Sequence, residues 1–449
     1  MNDQHNINHR QLAWLTSSMI TSGGILSLYN IHIRVSEGDA WLAYLCPLLY
    51  GFVIASFFVY LNRVFPNQNL FEITIRLLGH GIGTILNIVI IIHFLFIVMK
   101  DVYSLGIFTS VILLEETPLE IIILMICLLL MFYGQSNIEV VARVNDLFYP
   151  IFTLTLLCMP LFLYREIDPR LLTPVMVQPP LQSLISNALS LGSASDVFIL
   201  GAFLHTLHNH VQFRAAMRYG VALGVFLLMI ITILEIVVFG PEIPSHLLYT
   251  VYSLIRMIQI TEFLDRVDLV LFSIWLPTII VKIILSYLAL LYGLSNIIKT
   301  KQTIRLNKPL ALFLTVFTYY SFENSAALIS FISFAMPAFV LSYQPLLLTL
   351  MCIAILVYRN KHKGTFSEAS AHSVKNTPIA HHRTWKQSTM GLIVLSILLV
   401  FTGWYYSESF PLVANLCASG YVLSAFMIVL STYYEMRTST LISTQTKTP

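Results

Sequence analysis

The chain is 449 residues long, 57% hydrophobic and only 10% charged, with a mean hydropathy of +0.80, whereas a soluble domain carries roughly 25% charged residues. That excludes a soluble protein, and the net charge of +3, from 25 Lys and Arg against 22 Asp and Glu, is too small and too dispersed to point to nucleic acid. Apolar stretches recur from residue 11 to residue 434, leaving no room for a polar lobe, so the expected fold class is an all-α polytopic membrane bundle.

About 20 apolar residues carry a helix across the hydrocarbon core. Cutting the chain wherever charges or Pro and Gly interrupt such runs gives twelve spans, near 11–33, 40–62, 82–112, 118–135, 143–163, 181–207, 216–239, 266–294, 309–330, 338–358, 387–407 and 411–433. The polar start, Met1 to Arg10, is followed by no small-residue cleavage site, so the first span is expected to stay in the mature protein. Between spans 2 and 3, Asn69 and Glu72 make a capping box ahead of a short interfacial helix over 70–79, with Glu72 and Arg76 placed to pair at i,i+4. Residues 244–260, opened by Pro244, are apolar enough to lie on the outer surface but too interrupted to cross. Residues 359–386, rich in Lys, His, Ser and Thr, read as a solvated linker.

The linker over 359–386 thus separates ten spans, over 1–358, from two additional helices over 387–433 and a tail over 434–449. Alternating the connections between two sides puts eighteen Lys and Arg on one and five on the other, with Lys100 and Lys282 inside spans. The positive-inside rule assigns the richer side, which holds both termini, to the cytoplasm.

Transporters built from inverted repeats bind substrate near the midplane, where a helix in the same position of each half is interrupted. Here span 1 carries Thr21, Ser22, Gly23 and Gly24 in its middle. Span 6, the first of a second set of five, carries Gly192, Ser193, Ala194, Ser195 and Asp196 at a similar depth. The half-helix N-terminus beyond each break would face an anionic group such as a carboxylate. Close helix packing is the alternative use of such small residues, and the matched pair tips the balance toward a binding site.

Charges inside the bilayer cost about 2.5 to 3.5 kcal/mol each on the insertion scale unless paired or wetted. Lys100 and Asp101 lie in span 3, Asp196 in span 6, Glu235 in span 7, Lys282 in span 8 and Glu323 in span 9. Neighbours in a helix point about 100° apart, so Lys100 and Asp101 are each expected to find a partner elsewhere. Lys282 is expected to pair with Asp101 or Glu235 and to line or brace a cavity. Tyr103 and Ser286, one turn from Lys100 and Lys282, would add hydroxyls to the same wall, with core packing as the alternative. His93 reads as packed or hydrogen-bonded. His205, His208 and His210 lack a nearby Cys or carboxylate, so no metal is expected. Cys46, Cys127, Cys158, Cys352 and Cys417 are far apart and give neither a disulfide framework nor a zinc site. Gly79 to Gly83 has the wrong spacing for a dinucleotide loop, and no GxSxG, HExxH or P-loop pattern is present, so neither catalysis nor a cofactor is expected.

Several short segments together carry a family resemblance: Asp39-Ala40-Trp41 opening span 2, Phe71-Glu72 and Leu78 to Gly83 before span 3, Thr117-Pro118 before span 4, and Ile138 to Arg143 entering span 5. The most specific is Phe263-Leu264-Asp265-Arg266-Val267-Asp268, followed by Trp275 and Lys282. Over about residues 8–360 the chain resembles the B-subunit permeases of bacterial spore germinant receptors, a branch of the amino acid, polyamine and organocation transporter superfamily. The resemblance implies a transporter-like core of two inverted five-helix repeats, at about 11–163 and 181–358, in the spore inner membrane, partnered by an A-type subunit and a C-type lipoprotein, which recognises a small nutrient, often an amino acid, and initiates germination. The superfamily's substrate contacts map onto Ser22 to Gly24 and Gly192 to Ser195. After residue 360 the chain departs from the pattern by adding its linker and spans 11 and 12. An amino acid secondary transporter, proton-coupled through Asp196, Glu235 or Lys282, is the alternative.

Overall fold

The computed structural model describes residues 7–27, 29–206, 210–258, 267–299, 303–361 and 380–445. Among these the chain is helical with no strand. The helices are α1 (His9–Ser27), α2 (Tyr29–Ser36), α3 (Leu45–Val64), α4 (Leu70–Phe108), α5 (Leu119–Tyr133), α6 (Ile138–Phe162), α7 (Pro180–Ser195), α8 (His210–Phe239), α9 (Glu242–His246) and α10 (Thr250–Arg256). They continue with α11 (Val267–Ile298), α12 (Thr303–Ser321), α13 (Ser325–Ser330), α14 (Met336–Lys361), α15 (Ala380–Tyr406) and α16 (Pro411–Gln445). Nine stretches among the described residues are long and apolar enough to cross a membrane. With α1, α5 and α12 they match the twelve expected spans in order.

The packing repeats itself in the second half. Span 1 (α1) lies on span 7 (α8), and span 6 (α7) lies on span 2 (α3). Span 5 (α6) packs on span 8 (α11), and span 10 (α14) packs on span 3 (α4), while spans 4 and 9 (α5 and α12) pair with each other. Exchanging each span for the one five positions on leaves this pattern unchanged. Because five is odd, the second half enters the bilayer in the opposite direction. The core is thus two inverted five-span repeats.

The loop helices follow the same logic. Asn69 closes its capping box, with Glu72 N donating to Asn69 Oδ1 at 2.9 Å and Asn69 N donating to Glu72 Oε2 at 3.2 Å. Gly79, at φ +78°, bends the chain after this first stretch of α4, a conformation glycine adopts without strain. Asn87 then ties the two parts together by donating to Phe71 O at 3.0 Å. Arg76 does not pair with Glu72 as expected: Glu72 is engaged by the cap, and the guanidinium lies 5.2 Å from the Phe65 ring centroid. The stretch expected over 244–260 is two short helices, α9 against α2 and α8, and α10 against α8 and α11.

Span 9 is shorter than expected. Helix α12 stops at Ser321, Glu323 is exposed in the turn that follows, and Asn324 caps α13 by accepting from Ala327 N at 2.9 Å. Residues 325–335 therefore belong to the tenth span, joined to α14 through a π-helical turn over Phe331–Ala335. Most of the expected linker, residues 362–379, lies outside the described residues.

Helices α15 and α16 form a hairpin against α8. Inside it Ser396 Oγ lies 2.7 Å from Ser424 Oγ, Thr389 Oγ1 lies 2.9 Å from Ser431 Oγ, and Trp385 stacks on Tyr434 at 4.9 Å between ring centroids. A buried ion pair fixes the hairpin to the core, with Arg218 Nη1 2.8 Å from Glu435 Oε2. Removing one member of a buried pair strands the other charge and costs about 3–5 kcal/mol, whereas removing both is often neutral. Arg218→Leu and Glu435→Leu should therefore each lower the thermal unfolding temperature of the detergent-purified protein, and the double variant should recover most of the loss. Additive losses would show that the two side chains act independently.

Candidate ligand site at the centre of the bundle

Four charged side chains from three spans meet in the interior. Lys100 and Asp101 come from α4, Lys282 from α11, and Asp196 from the point where α7 gives way to a 3₁₀ segment. Lys282 Nζ is 2.6 Å from Asp196 Oδ2 and 3.0 Å from Asp101 Oδ2. Lys100 Nζ is 3.0 Å from Asp101 Oδ1 and 3.2 Å from Asp196 Oδ2. Each of the four is at most 5% exposed, so the group is a closed square of two cations and two anions with no net charge. Adjacent residues do point apart along a helix, yet Lys100 reaches Asp101, because its four-carbon stem brings the ammonium back over its neighbour. Sequence reasoning placed Lys100 in the bilayer but missed this contact. Glu235, on α8, takes no part in the ion pairs of the square, and the alternative of a Lys282–Glu235 pair is set aside by Lys282's two aspartate partners.

The two expected interruptions differ. Helix α7 is α-helical through Gly192, Ser193, Ala194 and Ser195, and 3₁₀ bonding takes over from Asp196 to Thr206. The change of pitch falls at the end of the expected break and delivers Asp196 to the lysines. In span 1, by contrast, α1 stays helical through Thr21, Ser22, Gly23 and Gly24 to Ser27, and α2 begins at Tyr29. The hydroxyls there support the helix. Thr21 Oγ1 donates to Ser17 O at 3.0 Å, and Ser18 and Ser22 Oγ lie 3.0 Å apart. Tyr149 on α6 braces this turn, with its hydroxyl 2.6 Å from Ser17 Oγ and 2.9 Å from Thr21 Oγ1.

Span 1 nevertheless reaches the charges through Gly23. A Cβ on that residue would collide with Lys282 Nζ and stand 3.2 Å from Asp101 Oδ1, so any larger residue would displace the Lys282 ammonium from its place between the two aspartates. Next to it, Ser22 O accepts from Trp275 Nε1 of α11 at 3.3 Å. Gly24 is within α1, but its surroundings lie outside the described residues.

The remaining expected residues are turned toward the backbone. Ser193 Oγ donates to Ser190 O at 2.9 Å, Ser195 Oγ to Gly192 O at 2.7 Å and Ser286 Oγ to Lys282 O at 2.8 Å. Tyr103 donates to Phe322 O at 3.1 Å and packs on the Phe322 ring. Ala194 is fully buried, and Gly192 faces Pro337. His93 is held by the Tyr343 hydroxyl, 2.7 Å from Nδ1. His205 stacks edge-on against Tyr292, and His208 lies outside the described residues. The open valence at the centre is Asp196 Oδ1, buried with no hydrogen-bond partner among the described residues.

The family described as spore germination protein matches residues 6–327. The chain belongs to that family. Among its relatives in Bacillus subtilis (strain 168), the protein YfkT is 26% identical over 304 residues, covering 67% of this chain and 82% of its own. Spore germination protein YndE is 22% identical over 300 residues, covering 66% and 82%, and spore germination protein KB is 22% identical over 279 residues, covering 61% and 74%. In three dimensions the chain resembles Mhp1, a nucleobase-cation-symport-1 family transporter solved in a closed conformation with bromovinylhydantoin bound. The TM-score is 0.56 over 97% of this chain and 93% of that one, at 13% identity. This spore germination protein is thus a multi-pass membrane protein with a transporter fold, and family and fold point to a permease or transporter rather than an enzyme. The family match ends before α14, so the hairpin of α15 and α16 lies beyond it.

Charge balance makes a sharp test of the square. Lys282→Met leaves two aspartates to one lysine and should destabilise the protein by about 3–5 kcal/mol. Adding Asp196→Asn restores neutrality and should return much of that stability in a detergent thermal-shift assay. A single variant as stable as wild type would mean that the four charges do not depend on one another.

Proposed function

We propose that this chain is the permease-like subunit of a spore germinant receptor, and that it recognises a small nutrient such as an amino acid at the charge square. The observation that carries this reading is the meeting of Lys282 and Asp101 with Gly23, beside an Asp196 whose Oδ1 is unpartnered. A zwitterion brings one ammonium and one carboxylate, so it can replace contacts within a neutral square without leaving a net charge in the bilayer. Its carboxylate would take a place beside Lys282 or Lys100, and its ammonium a place beside Asp196. Opening the square requires α4, α11 and the α7 junction to separate, and a ligand shifts that equilibrium only by its differential affinity for the open arrangement. In this reading Ser22, Ser193, Ala194 and Ser195 shape the site, Tyr103 and Ser286 stiffen its wall, and the expected partners are an A-type subunit and a C-type lipoprotein. The location is the spore inner membrane, with both termini cytoplasmic and the ten-span core separated by the 359–386 linker from the last two spans.

The transporter fold supports a second reading, an amino acid secondary transporter. Spores carrying Gly23→Leu or Ala194→Leu, with the protein at wild-type level in the membrane, should lose germination in response to a panel of the common amino acids. A normal response from both variants would overturn the assignment of the site. Uptake of a labelled amino acid by the protein alone in liposomes would favour transport; a response that needs the partner subunits, without uptake, would favour the receptor.

A further inference from the structure

A second group of buried titratable side chains lies away from the square, about one turn before the end of α8. Glu235 is fully buried, and neither carboxyl oxygen has a hydrogen-bond partner. His32 on α2 is equally buried, and neither ring nitrogen has a partner. Tyr44, at the end of the 3₁₀ segment before α3, joins them. Its ring meets His32 edge-on at 6.0 Å between centroids, its hydroxyl is 2.9 Å from Thr232 Oγ1, and it is within electrostatic reach of Glu235. Thr232 and Glu235 are one helical turn apart and share a face of α8.

The charged groups around this pair are engaged elsewhere. Arg34 of α2 is exposed and donates from Nε to Ser245 O at 2.7 Å. Glu242 and His246 of α9 are exposed. Asp39, from the same segment as Tyr44, accepts from the backbone N–H groups of Met176 and Gln178, and Asp168 meets α8 through its own N–H, which donates to Val237 O. Helix α1 carries only His9 and Arg10, at its opposite end. The Arg218–Glu435 pair of α8 and α16 is 17 residues back along α8, about 25 Å at 1.5 Å per residue, while Tyr421 of α16 packs on Trp41. On α6, Tyr149 is committed to Ser17 and Thr21, and Arg256 of α10 is exposed over Tyr252.

Buried polar groups are almost always hydrogen-bonded, and exceptions call for a functional account. We propose that Glu235 and His32, linked through Tyr44, form a proton-binding site, distinct from the square, which takes a proton from water and returns it as the segment that carries Tyr44 moves. With one proton the two groups are either a neutral acid and a neutral ring or a carboxylate and an imidazolium. With none they carry one negative charge, and with two, one positive charge. The proton adds to a carboxylate oxygen or a ring nitrogen, and no other bond changes. Because α1, whose Gly23 touches the square, packs on α8, which carries Glu235, protonation and the state of the square can be coupled through that contact. The site does not depend on the square holding a nutrient, and it serves a receptor or a transporter equally.

Infrared spectroscopy of the full-length protein in liposomes, titrated with pH, tests this. The wild-type-minus-Glu235→Gln difference should contain one protonated-carboxyl C=O stretch that comes and goes with pH, and His32→Phe should displace its midpoint. Glu235→Asp, which keeps the acid, should retain a titrating band at a changed frequency and guards against a Glu235→Gln variant that fails to fold. No titrating carboxyl stretch in that difference, or an unmoved midpoint in His32→Phe, would each overturn the proposal.

Discussion

Two aspartates and two lysines buried together in an apolar bundle are stable only as a set. Any one alone is an uncompensated charge in a medium that does not solvate it, yet the four close a square in which Asp101 and Asp196 each touch both ammonium groups. The rest of the core is arranged to make that possible. Helices α4 and α11 pack against each other, the change to 3₁₀ pitch at Asp196 turns a carboxylate toward them, and a glycine on α1 leaves room for the Lys282 ammonium. Interlocking charges of this kind hold one arrangement firmly, and the proposed role of a zwitterion is to release it.

The hairpin of α15 and α16 extends the same economy to the periphery. It lies beyond the family match, yet it is no loose appendage: Arg218 and Glu435 pair in a buried position, and the two helices exchange serine and threonine hydroxyl contacts along their interface. Helix α8 consequently packs against both α1 and α16. Glu235 and Arg218 stand toward opposite ends of that one helix.

Much of the fold was legible in the sequence because lipid imposes a simple rule. Runs of apolar residues have to be about as long as the bilayer is thick, so the twelve spans and the 70–79 helix fell where the residues put them. The misplacements have local causes. Glu323 looked interior because it stands among aromatic residues, and only the Asn324 cap shows that the chain turns there. Thr21 to Gly24 looked like a break because small polar residues interrupt the apolar run, but their hydroxyls bond back to their own helix and to Tyr149. Pairing inside the bundle was less readable, since composition gives depth but not azimuth. Asp101 was a candidate for Lys282 on charge alone, Glu235 was an equal one, and the part played by the long stem of Lys100 appears only once α4 is placed. His32 carried no signal beyond its type, in a stretch beside Asn30 and Arg34 that reads as the end of a span.

The central claim is that the square opens to receive a small zwitterion. A cryo-electron microscopy structure of the full-length protein in lipid nanodiscs, saturated with whichever common amino acid triggers germination, tests it most directly. The account predicts density for that molecule between Gly23, Asp196 and Lys282, with the Lys282–Asp196 contact broken. The same molecule bound elsewhere, with all four side chains still in mutual contact, would contradict it.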